Sequence, residues 1–398
     1  MTNKNNVLTP FLLWVMTIAT GLCVANLYYC QPLLYQMQVD LGVSEVEMGA
    51  IPTLTQLGYA IGMLFIIPLG DLYEKKKLIL LSTFISALAL IGMALSPNLS
   101  FAIFMSLLIG ITTMTPHFII PFAVQLGGAE KSGRVIGMIM GGLLMGILLA
   151  RTFSGFVGAE VGWRGMFLIA ASMLIILSVI LFFLLPKSEP GFKGSYSELI
   201  SSIWTLVKEQ PVLRESMLYG SLLFGGFSAF WATLIYLMES PAFNLGARTV
   251  GLFGLAGALG ALAAPIVGRY AEKKNPRITI GAGILCFLLS FVIYLVWGGS
   301  SLVALVIGVL LMDLGLQVAH ISSQTRNFAL VPEARSRMST AYMFTYFIGG
   351  ASGSWLGAYA WGHWGWNGVC ILAISFASIA LSVFFLAGKR EKPMVPVV

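Results

Sequence analysis

Between Val309 and Arg326 the sequence reads VLLMDLGLQVAHISSQTR. Asp313, Gln317, His320 and Gln324 follow one another at spacings of four, three and four. In an α-helix that spacing stacks them on one face, while Leu310, Leu314 and Val318 fall on others. The segment therefore predicts an apolar helix with a polar stripe about 16 Å long. A carboxyl and an imidazole on such a stripe have the chemistry of a proton site and its relay. One other charge is as far from any polar connection: Arg151, inside GGLLMGILLARTFSG. A charge at the centre of a membrane helix costs about 2.5–3.5 kcal/mol on insertion scales, so it marks a cavity or a partner.

The elements that must position these residues follow from composition. The chain has 398 residues, 58% hydrophobic and 10% charged, with a mean hydropathy of +0.90, far from the quarter charged of an ordinary soluble domain. A span needs about 20 mostly apolar residues. Twelve such stretches occur, at roughly 9–36, 46–69, 77–95, 99–124, 135–158, 165–185, 213–238, 249–270, 277–297, 301–324, 338–361 and 365–387. The expected fold class is an all-α membrane protein of twelve helices. The first stretch runs into NLYYCQP without a small-residue cleavage site, so it is expected to be retained. Lys75, Lys76, Lys77, Arg134, Arg269, Arg277, Arg326, Arg335 and Arg337 fall on the side of the termini, against Arg164 and Arg248 on the other. The positive-inside rule then places both termini in the cytoplasm. Scattered over short loops, the net charge of +7 makes no contiguous basic surface for nucleic acid. Cys23, Cys30, Cys286 and Cys370 lie within the spans and form no C-x-x-C pair, which predicts plain buried thiols and no metal.

The longest polar connection divides the chain into 1–186, 187–212 and 213–398. Within it Leu199, Ile200, Ile203, Trp204 and Val207 recur at helical spacing, predicting an amphipathic helix on the membrane surface. The two halves repeat. GWRGMFLIAA at Gly162 returns as GWNGVCILAI at Gly365, and Arg134 maps onto Arg337 at the same offset of 203. GDLYEKKK at Gly70 returns as GRYAEKKN at Gly268. Two six-helix bundles related by an axis along the membrane normal are expected. The same offset carries His320 onto His117, so the two histidines should face each other across the axis. Asp313 maps onto Gly110 and has no twin.

In NLYYCQPLL, PLGDLYEKKK, GGLLMGILLARTFSG, GWRGMF and MDLGLQVAHISSQTR the chain resembles the major facilitator superfamily, and within it the twelve-span drug/proton antiporter branch. Asp71, Lys75 and Lys76 match the superfamily's loop motif. The arginine that this branch often carries in the fourth span falls near Ser106. The resemblance implies that spans one, four, seven and ten line a central cavity. It also implies gating by Asp71, Glu74, Lys75, Lys76, Arg134, Arg269, Glu272 and Arg337, and a monomer in a bacterial cytoplasmic membrane.

Arg151 lies about 14 Å from the outer end of its span and Asp313 about 18 Å from the end of its own, a difference an arginine side chain can bridge. An Arg151–Asp313 pair is therefore expected in at least one state, with His320 or His117 as relay. Asn26, Tyr29, Gln56, Trp231, Tyr236, Tyr342 and Tyr346 lie near the same depth and, with His117, Gln317 and Gln324, make the candidate substrate surface. Glycines 137, 141, 142, 146 and 155 in span five, and 251, 254, 257 and 260 in span eight, permit close helix approach. No G-x-x-x-x-G-K-[ST], H-E-x-x-H or G-x-S-x-G occurs, which excludes ATP-driven and these hydrolytic chemistries and leaves no expected cofactor. Proton-coupled export of small organic compounds is the leading expectation from the resemblance. Uptake of one metabolite, an anion held by Arg151, is the alternative.

Overall fold

A computed structural model of the protein describes residues 8–128, 131–187, 196–272, 276–331 and 334–388. Thr9 opens the first helix, α1 (Pro10–Ala25), by accepting the N–H of Leu12, with Pro10 at the first position. Pro32 cannot continue it. A proline ring clashes with the carbonyl four residues earlier, here Tyr28, and the chain turns over residues 26–30 before a 3-10 turn at Gln31–Leu33. The span resumes as α2 (Leu34–Leu41), which ends on Gly42 with φ 64°. A capping box of Ser44 and Glu47 starts α3 (Glu45–Met48), which leads into α4 (Ala50–Phe65).

After α5 (Leu69–Leu72), the third span is α6 (Lys75–Ala94), and the fourth is built from α7 (Leu99–Thr112) and α8 (Thr115–Gly127). Spans five and six share α9 (Ser132–Leu184), bent at Gly162, where φ is 74° and ψ 169°. The connection holds α10 (Tyr196–Glu209), and span seven is α11 (Pro211–Glu239). Spans eight to ten are α12 (Ala247–Glu272), α13 (Pro276–Ile293) with a π turn at Tyr294–Gly298, and α14 (Leu302–Phe328). Spans eleven and twelve share α15 (Arg335–Gly388), bent at Gly365 with φ 59° and ψ −152°. Among the described residues eight helices are long and apolar enough to cross a bilayer; two of them hold two spans each, and α1 and Ala247–Ala261 are shorter apolar helices. The fold is therefore all-α with twelve membrane helices. Large apolar side chains such as Phe11, Phe183, Val303 and Trp364 stand on its outer surface, as lipid-facing positions require.

The duplication is visible in contacts. Both bends, Gly162 and Gly365, are 203 residues apart and have positive φ. One seam between the halves packs Gly155 of α9 on Ala247 and Gly251 of α12; the other packs Gly49 beside α4 on Ala358 of α15. Gly155 and Ala358 are again 203 apart, and Gly49 and Gly251 are 202 apart. Glu160 and Arg248 form an ion pair, and Val46 meets Gly362, beside the same seams. These contacts lie on the face opposite the termini. In the connection, α10 buries Ile203 and Leu206 and leaves Trp204 outward, with Lys208 5.5 Å above its ring. Tyr196 donates to the Phe65 carbonyl at 2.9 Å, tying α10 to the end of α4.

Candidate functional site

The break in span one sets the centre of the molecule. Ser154 of α9 donates to the Tyr29 carbonyl at 2.5 Å, satisfying backbone freed by the turn. One helical turn away, Arg151 donates from Nε to Gln31 Oε1 at 2.6 Å. Its guanidinium carbon lies 4.7 Å from the Tyr28 ring, 4.1 Å from Trp231 and 5.6 Å from Phe227, so aromatic faces replace water around the charge. Arg151 is 3% exposed, and its Nη2 has no hydrogen-bond partner.

Asp313 approaches from the other half. It is 6% exposed, and its Oδ2 has no partner. Span eight makes room for both residues. A Cβ on Gly254 would lie 3.1 Å from Arg151 Cβ, and one on Gly257 only 2.9 Å from Asp313 Oδ2. Three residues of helix rise about 4.5 Å, so the charges share one short stretch of α12. They influence each other electrostatically, yet no described hydrogen bond or ion pair joins them. In this conformation Gln31 holds the arginine.

The histidines do not touch. His117 Nε2 meets the Tyr59 hydroxyl at 2.7 Å, and His320 Nδ1 meets that of Tyr342 at 3.1 Å. A chain of rings links them across the halves: Tyr59 to Phe347 at 4.5 Å, Phe347 to Tyr346 at 5.7 Å, Tyr346 to His320 at 5.0 Å. Phe224 stacks on Tyr346 at 4.0 Å. The polar stripe of α14 thus serves two neighbours. Asp313 is turned to α12, whereas His320 and Gln324, which donates to Ser339 at 3.3 Å, bond to α15; Gln317 is half-buried.

Gln56 donates to Ser354 at 2.9 Å and accepts from Ser228 at 3.2 Å, joining spans two, seven and eleven. Asn26 is buried with both side-chain atoms unpaired, as are Trp231 Nε1 and the Tyr236 hydroxyl, whose ring stacks 6.0 Å from Trp361. Tyr29, itself buried, lines an apolar groove of about 600 Å³ between α1 and α9. Of the gating candidates, Lys76 donates to the Leu185 carbonyl at 2.5 Å and Glu74 pairs with Lys77 at 3.4 Å. Lys75 is buried, Arg134 exposed and Arg337 half-buried. The side chains of Asp71, Arg269 and Glu272 lie outside those described. Sequence reasoning missed Gln31, Tyr28, Tyr59 and Phe227. For Gln31 a signal existed, an amide at the depth of Arg151 within an apolar span.

The model of the Major Facilitator Superfamily matches residues 13–353 and, again, 263–397. The chain belongs to this superfamily. It is 39% identical to the uncharacterized transporter YgaY of Escherichia coli O157:H7 over 98% of the chain and 99% of that protein. Against the purine ribonucleoside efflux pump NepI of Salmonella paratyphi B it is 22% identical, covering 96% and 95%. Among solved structures, a bacterial homolog of the human lysosomal transporter Spinster, inward-facing and unoccupied, superposes with a TM-score of 0.78 at 15% identity over 98% of each chain. This superfamily member is thus a multi-pass membrane transporter of small molecules and not an enzyme. Its twelve-helix fold places the Arg151 and Asp313 charges where its two bundles meet.

Proposed function

We propose that this transporter exports small organic compounds by alternating access, coupled to protons bound at Asp313. One observation carries the reading: a buried carboxylate with an unpartnered Oδ2 stands beside a buried arginine of the opposite bundle, both seated on the glycines of α12. An apolar surrounding favours the neutral acid and a nearby guanidinium favours the carboxylate. Rocking of the bundles changes that balance, and a proton taken up on one side leaves on the other. With the termini in the cytoplasm, the contacts at Glu160–Arg248 and Val46–Gly362 close the extracellular face. Similarity to an efflux pump supports the outward direction. The unpaired donors of Asn26, Arg151 and Trp231, with the rings of Phe227, Tyr236 and Tyr346, suit an amphipathic molecule bearing hydrogen-bond acceptors. His320 and His117 serve as relay or contact, and the chain works as a monomer in the bacterial cytoplasmic membrane.

The alternative, transport of an anionic metabolite, draws on the free Nη2 of Arg151, a site for a carboxylate or phosphate. Proton flux in everted vesicles, on addition of cationic, neutral and anionic compounds, separates the two. Export coupled to protons predicts a substrate-triggered proton signal that Asp313→Asn abolishes. Accumulation of an anion with no proton movement in either protein would instead support the alternative.

A further inference from the structure

The NLYYCQP segment is spent neither on spanning the bilayer nor, beyond Asn26, on unpaired groups for a substrate. Its turn gives up helix geometry over residues 26–30 in the middle of a membrane span. In lipid such backbone needs partners from neighbouring helices; Ser154 supplies one to the backbone of the turn, and Arg151 meets the turn through the Gln31 side chain. Ser154 takes the Tyr29 carbonyl, Gln31 takes Arg151 Nε, and the Tyr28 ring covers the guanidinium. Gln31 is 2% exposed. Because Ser154 and Arg151 are three residues apart on α9, the turn and the arginine are fixed together and move as part of the first bundle. Asp313 belongs to the second.

We propose that this turn is a holding site for Arg151, and that Gln31, by retaining the guanidinium, limits its reach toward Asp313 and so decides whether that carboxyl keeps its proton. The inference rests on Asp313 as the proton site. An arginine bonded through Nε is fixed in orientation, and its buried Nη2 is left without a partner. Released from Gln31, the same side chain crosses the short step from Gly254 to Gly257 along α12 and pairs with the carboxylate. Among the described residues no other charged group acts on the pair. Tyr28 and Cys30 face the arginine from the first span. Tyr294 and Tyr346 face Asp313 from spans nine and eleven, and α12 presents glycines to both. Gln31 is thus a positioning residue that acts through Arg151.

The test reads Asp313 directly and needs no substrate. Infrared difference spectroscopy on the full-length protein in lipid follows the protonated carboxyl band against pH, with Asp313→Asn assigning the band. Gln31→Ala frees the arginine to pair with the carboxylate, so the midpoint should move to lower pH by about one unit or more. Gln31→Glu binds the guanidinium more tightly and should move the midpoint to higher pH. Opposite shifts are the expected result, and the fall in Gln31→Ala decides the role, because the carboxylate added by Gln31→Glu raises the midpoint by its charge alone. Shifts of one sign, or none with the band intact, would overturn the role of Gln31 and leave Asp313 as proton site untouched. Absence of the band in the parent protein would remove both.

Discussion

At the scale of single residues, the centre of this transporter is a set of buried polar atoms whose partners are missing on one side. Trp231 shows the logic. Its ring covers the Arg151 guanidinium at 4.1 Å while its Nε1 proton has no acceptor. A buried donor left unpaired costs about 1–3 kcal/mol, so Trp231 carries that cost unless a ligand relieves it. Trp231→Phe keeps a ring over the arginine and deletes the donor. If the substrate takes that proton, the half-saturating substrate concentration in vesicle transport should rise about three- to tenfold, the worth of one hydrogen bond, with little change in maximal rate. An unchanged value, together with a higher melting temperature of the purified protein, would assign Trp231 to arginine packing alone. Asp313, Arg151 and Trp231 were legible because a charge or an aromatic ring stands out in an apolar run. Gln31 was not read, although an amide at the depth of Arg151 in an apolar span marked it, because its meaning lies in a partner 120 residues away.

At the scale of elements, the twelve spans and their pairing into two halves were readable from hydropathy and from the 203-residue offset. The bend at Gly162 recurs at Gly365 with positive φ at both, a register that the repeated GW motif had already marked. The break in span one lies ahead of Pro32, because the clash its ring makes with a preceding carbonyl pushes the distortion back to residues 26–30. His117 and His320, expected to face each other across the axis, each bond a tyrosine of their own half. Symmetry fixes the helix positions but not which neighbour each imidazole bonds, and Tyr59 and Tyr342 lie on helices that the repeat does not interchange. The two bends give a clean prediction. A Cβ at Gly162 or Gly365 would meet nothing within 4 Å, so alanine there strains only the backbone, in a region that glycine alone adopts easily. Gly162→Ala and Gly365→Ala should each destabilise the protein by about 1–3 kcal/mol, seen as lower midpoints in detergent unfolding. Transport per folded molecule should be retained. Loss of transport without loss of stability would mean that the bends move during the cycle.

At the scale of the whole molecule, two near-symmetric seams carry one asymmetric charge system. Both seams are tight enough that glycine and alanine backbones meet, at Gly155 with Gly251 and at Gly49 with Ala358, and packed interfaces of this kind hold discrete arrangements better than graded ones. Thr152 adds a hydrogen bond to the Gly251 carbonyl at 2.8 Å, one residue from the arginine, so motion at the seam reaches the charge directly. Asp313 can lack a twin because the equivalent Gly110 packs on the backbone of α4 between Thr55 and Tyr59, where no side chain fits. The first bundle is closed where the second holds its acid. If the face opposite the termini must open in every cycle, Glu160 and Arg248 have to part. Their ion pair is more than half exposed on both sides and contributes little stability by itself, so neutralising it should leave transport largely intact. A covalent link is different. Cysteines at both positions, Glu160→Cys with Arg248→Cys, should cross-link readily under oxidation, since Cys23, Cys30 and Cys370 are buried and Cys286 is partly so. The linked protein should lose transport and regain it on reduction. Full transport by the cross-linked protein would show that this seam stays shut through the cycle, and the path for substrate would have to be sought elsewhere than between α9 and α12.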